Sequence, residues 1–499
     1  MFRALAKIVT VLALIGAWNV HAQTRIDAGD VLSGAISSPL QTNAYTLSAQ
    51  AGDVITVRVC RTSGEMWPRL VVRDPASTTA YDVTQIPTVD LQCTTPISGL
   101  IRINVSDGFS GTATGEYAIY AQVNNRPGKS TAISAGQTLA AQAIAPGAFA
   151  AFSIPAQAGD VLVCRATQST GNVWPLIRLH DPTGCLVDSA SGTVTAEVSR
   201  TLSNTGMYTV LVGDGFNGTF PGTVSLFVQQ TNRPGAVSAA APGLTGFGSI
   251  DGPAVMRTFS IEAERGEVIF ARMARSSGNV WPLIRLYDPN GVFLQQEGSS
   301  LTTELTRAVG TTGSYTLLVG DAFNGTYTGQ YNLFTQTLTH PANAGELGVG
   351  ARISDNIGAP GVMRTYTLTM PPSGPTTLAL RMTRTGGSLW PMIRLYDAYG
   401  NKWAEAISTN SAMLTAVAQP SRAYTVLVGD GFNGTCTGDY DLTWNFTVPD
   451  IVIALRAAGG LSKTTTDDLT RLNRVTDAPS TSRIDYQDVV FLARAAWGL

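Results

Sequence analysis

Trp281-Pro282-Leu283-Ile284-Arg285-Leu286-Tyr287-Asp288-Pro289 is followed about thirty residues later by Tyr315-Thr316-Leu317-Leu318-Val319-Gly320-Asp321-Ala322-Phe323-Asn324-Gly325-Thr326. Both stretches occur four times. The tryptophan recurs at Trp67, Trp174, Trp281 and Trp390, and the aspartate at Asp107, Asp214, Asp321 and Asp430, each set at intervals of 107, 107 and 109 residues. Two markers sharing one period mean that a whole segment is duplicated. Solenoid repeats are shorter, roughly 20–50 residues, whereas a period near 107 has the size of a domain with its own core. Within the second stretch Tyr315, Leu317 and Val319 alternate with Thr316 and Leu318. That is a strand period with both faces fairly apolar, as expected in the middle of a two-sheet sandwich.

Working outward from these markers, each repeat offers seven to nine short strands and no amphipathic helical pattern. Ala51-Gly52-Asp53 and Ala158-Gly159-Asp160 are turns, Val54–Val59 is rich in β-branched residues, and Asn125-Arg126-Pro127-Gly128 and Asn232-Arg233-Pro234-Gly235 are linkers. The expected fold class is mainly β: four tandem jelly-roll-like β-sandwich domains with a small α-helical C-terminal module. The segments are 1–22 as a signal peptide, repeats at 23–128, 129–235, 236–343 and 344–446, and the helical module at 447–499. Linkers this short should let neighbouring repeats touch as a semi-rigid rod.

Composition narrows the function classes. The formal net charge is −2 and charged residues make up 14%, with no basic stripe, so nucleic acid is not an expected partner. Arg3 and Lys7, the apolar run Ile8–Ala17 and Val20-His21-Ala22 read as a secretory leader and cleavage site. No other apolar run is long enough to span a bilayer. A secreted location, periplasmic, surface or extracellular, is expected. Export permits disulfides: Cys60–Cys93 and Cys164–Cys185 each fall within one repeat, with Cys436 left over, and the alternative is that all five stand singly in strands.

The repeats resemble the bacterial pre-peptidase C-terminal domain. The resemblance is carried by Tyr-Thr-Leu near the start of a repeat, Ala-Gly-Asp-Val, Leu286-Tyr287-Asp288-Pro289-Asn290-Gly291, Gly313–Val319 and the closing Gly329-Gln330-Tyr331-Asn332-Leu333. It covers about 420 residues and implies jelly-roll-like sandwiches that accompany secreted enzymes without being catalytic. After Phe446, Asp450–Leu461 aligns with Asp488–Leu499 at a shift of 38. Helices are expected at 451–461, 467–475 and 488–499, the first and third packed together with Arg456 and Arg494 outward and Ile451, Ala454 and Leu455 echoed by Val489, Leu492 and Ala493. A duplicated loop–helix resembles a dockerin, which implies calcium loops and a cohesin-like protein partner. The second loop keeps carboxylates at Asp477, Asp485 and Asp488, but Pro479, Thr481 and Ser482 replace two ligands and the turn glycine, so calcium binding should be weak or absent.

Candidate chemistry is sparse. His180 and His340 are the histidines after the leader, and neither has the partners a Ser-His-Asp or Cys-His arrangement needs, so no enzyme activity and no cofactor are expected. Asp214 with Asn217, Asp321 with Asn324 and Asp430 with Asn433 offer oxygens that calcium favours; the plainer reading is a hairpin in which Asp caps, Asn-Gly turns and Phe fills the core. Trp67, Trp174, Trp281 and Trp390 would stack on sugar rings of a polysaccharide, or else cover the core beside Arg178, Arg285 and Arg394; Val71 breaks that arginine pattern in the first repeat. A non-catalytic binding or scaffold protein is the main expectation. The alternatives are a lectin-like protein and an accessory part of a secreted hydrolase.

Overall fold

The computed structural model describes residues 23–77, 80–370, 377–445, 448–461, 472, 484 and 486–497. Within them are thirty-six strands, in four successive runs of nine. The third run shows why these residues form this fold. Its four-stranded sheet has the order Thr245–Ile250, Gly329–Thr337, Val268–Gly278, Thr302–Ala308. Its five-stranded sheet has the order Val237–Ala239, Arg257–Ala263, Gly313–Asp321, Pro282–Tyr287, Phe293–Gly298. Setting aside the short Val237–Ala239 strand, which pairs parallel with Arg257–Ala263, the chain order across the two sheets is 1-8-3-6 and 2-7-4-5. That is the eight-stranded jelly roll of two interlocked Greek keys. The other three runs have the same sheet order.

Each sandwich closes on its own apolar core. In the third, Ile269, Ala271 and Met273 of one sheet meet Ile284, Leu286, Tyr315, Leu317 and Val319 of the other. The alternation visible in the sequence thus places Tyr315, Leu317 and Val319 inward. Where the Val268–Gly278 strand ends, Gly278 takes a φ of +73°. A Cβ there would stand 2.6 Å from the Gly329 Cα, so glycine is required on both counts.

The chain divides into two compact units, Met1–Lys129 with Pro146–Ala148, and Ser130–Ala145 with Phe149–Leu499. Inside the second unit, successive sandwiches share further apolar clusters. Val163 and Phe227 of the second repeat pack with Ala254, Met256, Leu283, Tyr287 and Leu318 of the third. Val268, Phe270, Phe334 and Leu338 of the third pack with Met363, Met392, Tyr396 and Leu427 of the fourth. Leu318 therefore faces the neighbouring sandwich, which is why the strand is apolar on both sides.

Among the described residues, the helices that follow include α1 (Val448–Ala458) and α2 (Tyr486–Trp497). Ala454, Val489 and Leu492 form a small core with Leu472 and Ile484, against which Val349 of the fourth repeat packs. Arg456 and Arg494 are exposed. Leu455, expected on the apolar face, is 48% exposed instead. The expected helix at 467–475 lies outside the described residues except for Leu472, which is helical. No helix among the described residues is long and apolar enough to cross a membrane.

None of the five cysteines is in a disulfide. Cys93 sits opposite Ile55, five positions from Cys60 along the paired strand. At about 3.4 Å per residue that is roughly 17 Å, and on the opposite face of the sheet, far beyond disulfide reach. Cys164 points into the core and Cys185 is exposed in a turn. Burial pushes the Cys93 and Cys164 thiols up to about 12, so both are inert.

Candidate functional site

The aspartate of the repeated loop is a brace. Asp321 is buried; its Oδ1 accepts the Trp281 backbone N–H at 2.8 Å and its Oδ2 that of Tyr327 at 3.1 Å. Asp430 does the same for Trp390 and Cys436, Asp214 for Trp174 and Phe220, and Asp107 for Trp67 and Ala113. Both carboxylate oxygens thus face N–H donors, the opposite of what a cation needs from its ligands. Burial raises the Asp321 and Asp430 carboxyls above the ordinary value, and the accepted amides only partly offset it.

Asn217, Asn324 and Asn433 have φ values of 59°, 55° and 53°, and glycine at positive φ follows each. The local turn is as expected, but it is not a hairpin. Gly313–Asp321 and Gly329–Thr337, which it joins, belong to opposite sheets. Nor does the phenylalanine fill the core: Phe109, Phe216, Phe323 and Phe432 are 54%, 38%, 37% and 44% exposed. Each packs at a tilt against the tryptophan of its own repeat, with ring centroids 4.8, 4.6, 4.8 and 4.6 Å apart. Phe220 and Tyr327 extend the cluster in the second and third repeats. The aspartate that holds the tryptophan backbone also starts the loop that carries the phenylalanine, so one buried carboxylate sets the geometry of a solvent-facing aromatic pair in every repeat.

The arginines expected beside the tryptophans do something else. Arg285 donates to Glu197 of the preceding repeat at 2.6 Å and to Gln296 at 2.7 Å. Arg394 donates to Glu304 at 2.8 Å and to Glu405 at 2.6 Å. Arg178 lies over the Phe149 ring, 5.2 Å from its centroid. Arg285 and Arg394 are therefore joint residues, because their strand face meets the neighbouring sandwich.

The Asn-Gly loops of the third and fourth repeats belong to the same joints. Arg165 reaches the Asp321 carbonyl at 3.4 Å, and Thr195 Oγ1 donates to the Asn324 carbonyl. Arg272 reaches the Asp430 carbonyl at 2.9 Å, and Thr302 Oγ1 donates to that of Asn433. A Cβ on Gly325 would stand 2.6 Å from Arg165 Nη2, so a side chain there would push aside the guanidinium that crosses the joint. Arg272 is 4% exposed; its Nε and Nη1 make no hydrogen bond, and Nε stands 3.5 Å from Glu304. Burial holds Arg165 and Arg272 below the ordinary guanidinium value. A cleft of about 390 Å³ opens beside Arg272, Glu304, Arg394 and Asp430.

The turn and linker motifs also meet. Arg126 pairs with Asp53 and Arg233 with Asp160, and Asn125 and Asn232 accept the Val54 and Val161 N–H groups. Glu267 and His340 take these places in the third repeat, 3.0 Å apart. The other histidine, His180, is buried with its Nδ1 3.1 Å from the Gly184 carbonyl. Of the dockerin-like acids, Asp477 and Asp485 lie outside the described residues, and Asp488 is buried in the first turn of α2. Among the described residues no group of three or more His, Cys, Asp or Glu side chains is placed to hold a metal.

No family model matches the chain, and no curated protein matches it. Similar solved structures include the full extracellular region of zebrafish Gpr126/Adgrg6, at 9% identity over 88% of this chain and 55% of that one, with a TM-score of 0.15. The chain thus spans about half of that protein's length. Others are the tandem CBM22 domains of Xyn10C from Paenibacillus barcinonensis (12% identity, 41% and 98% covered, TM-score 0.14) and a triple-jelly-roll protein of an archaeal virus (12%, 62% and 82%, 0.14). The fold assignment itself rests on the strand order described above.

Proposed function

We propose that the chain is a secreted, non-catalytic binding and scaffold protein of a bacterial surface or extracellular complex. In this reading its four jelly rolls are of the pre-peptidase C-terminal type, and its helices form a degenerate dockerin-like module that docks a protein partner. The observation that carries it is the solvent-facing Trp–Phe pair, built the same way in all four repeats. A core has no need of an exposed phenylalanine on each copy, whereas adjacent aromatic faces at a surface suit the apolar faces of sugar rings. The ligand class is therefore a polysaccharide, bound weakly at each pair and more strongly by several pairs on one chain. On α1 and α2 the exposed Val452, Leu455, Val490 and Phe491 stand with Arg456 and Arg494, a mixed surface suited to a protein partner.

The test is retention of the full chain on immobilised polysaccharides, compared with the Phe109→Ala, Phe216→Ala, Phe323→Ala, Phe432→Ala variant. These side chains are the more exposed members of the pairs, so the fold should survive and retention should fall. Unchanged retention in a folded variant, or no retention of the parent on any polymer, would overturn the reading.

A further inference from the structure

The first repeat departs from the others at one surface. In the third repeat Met256, Leu283, Tyr287 and Leu318 are buried against the second, and in the fourth Met363, Met392, Tyr396 and Leu427 are buried against the third. The corresponding residues of the first repeat are Thr42, Arg69, Arg73 and Asn104. Thr316 and Thr425, whose hydroxyls donate to backbone carbonyls of the preceding repeat at 3.0 and 2.9 Å, correspond to Arg102. Arg285 and Arg394 correspond to Val71. All of these joint side chains are changed, while Asp107 and Gly111 keep the loop of Asp321 and Gly325, and the changes turn an apolar face into a cationic one. Leu40, which stands where Ala254 is buried, is 83% exposed. A further repeat of this kind would bring an arginine equivalent to Arg165 or Arg272, which lie near Tyr287 and Tyr396, towards Arg73, so the face is unsuited to another copy.

The strand register shows how the arginines are set out. Arg25 pairs with Thr46, Thr46 with Arg102, and Arg102 with Arg73, forming one row across four strands. Arg69 lies on the same face, held in a two-point contact with Asp82 at 2.9 and 2.6 Å, and Arg25 pairs with Asp27. Arg73 and Arg102 are exposed and directly opposed, and among the described residues neither forms an ion pair. Like charges placed directly opposite destabilise a sheet, so the pair costs folding stability and suits an anion that both forks can grasp. Trp67, 38% exposed, begins the same strand face, which continues through Arg69 and Val71 to Arg73. At about 3.4 Å per residue this track is roughly 20 Å long, with the Trp67–Phe109 pair at one end.

We propose that this outward sheet face of the first repeat binds an acidic polysaccharide, with a sugar ring on Trp67 and Phe109 and carboxylates on Arg73 and Arg102. The proposal rests on the aromatic-pair reading above and adds the charge of the ligand and the repeat that reads it. A polysaccharide is favoured over an acidic protein because the cationic row and the aromatic pair lie on one strand face, about 20 Å apart.

The experiment measures affinity of the full chain for polygalacturonate, for the same polymer with its carboxyls reduced, and for polyglutamate. The parent chain should prefer polygalacturonate, with affinity falling as salt rises. Arg73→Gln with Arg102→Gln should weaken it at least about tenfold while leaving the melting temperature unchanged or higher. Trp67→Ala should weaken both sugar polymers. Equal affinity for native and reduced polymer, or no effect of the arginine changes, would overturn the proposal and leave the aromatic reading standing. Equally tight polyglutamate would overturn it in favour of an acidic protein. Failure to bind either sugar polymer would overturn both.

Discussion

Asp321 holds two backbone amides from a buried place. Removing it as Asp321→Ala leaves both donors unmet and should cost about 3 kcal/mol, read as lowered stability of the third repeat in denaturant. Trp281, half-buried and packed against Phe323, should lose less: about 1–2 kcal/mol for Trp281→Ala, since a surface aromatic pair contributes that much and little core is opened. The carboxylates fall into two groups with opposite pH behaviour. Burial alone would raise Asp53 and Asp160, but Arg126, Arg233 and the amides of Gln50 and Gln157 override it and hold both below 3.8. A lowered folded-state value contributes stability above 3.8 that is lost as pH falls through that lowered value. Asp321 and Asp430 are raised, so their contribution is greatest in acid and is lost as pH rises through the folded value. Asp53→Asn with Asp160→Asn should therefore flatten the loss of stability below about pH 4, measured as denaturation midpoint against pH. Sequence could show that Asp321 caps a turn, because aspartate before Asn-Gly has a local cause. It could not show that Trp281 packs against Phe323, forty-two residues away, because that contact depends on two strand ends meeting.

At the scale of elements, the strands were legible and their outer faces were not. Gly313–Asp321 reads as apolar on both sides, and a sandwich interior explains only one. The second face is apolar because it meets the preceding repeat, and Arg285 is present there to reach Glu197. A local pattern cannot tell a core from a joint, since both remove the same area from water. The joint makes a distinction between two arginines. Arg272 is buried with two N–H groups unmet, and Glu304 keeps Arg394 as a partner without it. Arg272→Met should cost less than about 1 kcal/mol or be neutral, while Arg394→Met removes the cation that bridges Glu304 and Glu405, leaving them Arg272 at 3.5 Å and Lys402 at 2.8 Å, and should cost about 2 kcal/mol. Differential scanning calorimetry of the two variants separates them, and the reverse order would mean that Arg272 is the anchor. For α1 and α2 the apolar contacts of Ala454, Val489 and Leu492 already form a core. Their helicity should persist in chelator, followed by circular dichroism of 344–499, and restoration of lost helices by micromolar calcium would refute that.

For the whole molecule, the period near 107 was the strongest sign in the sequence, and it implies sandwiches that fold singly. The second repeat has its own core, with Phe152, Ile177 and Tyr208 of one sheet packed on Leu226 and Val228 of the other, so residues 129–235 should melt cooperatively alone. They should not reach the stability they have beside the third repeat. Val163 and Phe227 are wholly buried against Met256, Leu283 and Leu318, and in the isolated fragment they would face water. Phe227→Ala decides how much the joint contributes. Within 129–343 it opens a cavity between two sandwiches and should cost about 3 kcal/mol; in 129–235 alone the same change removes an exposed ring and should cost little. Equal losses in the two fragments would show that Phe227 serves only its own sheet, and that the repeats touch without stabilising one another.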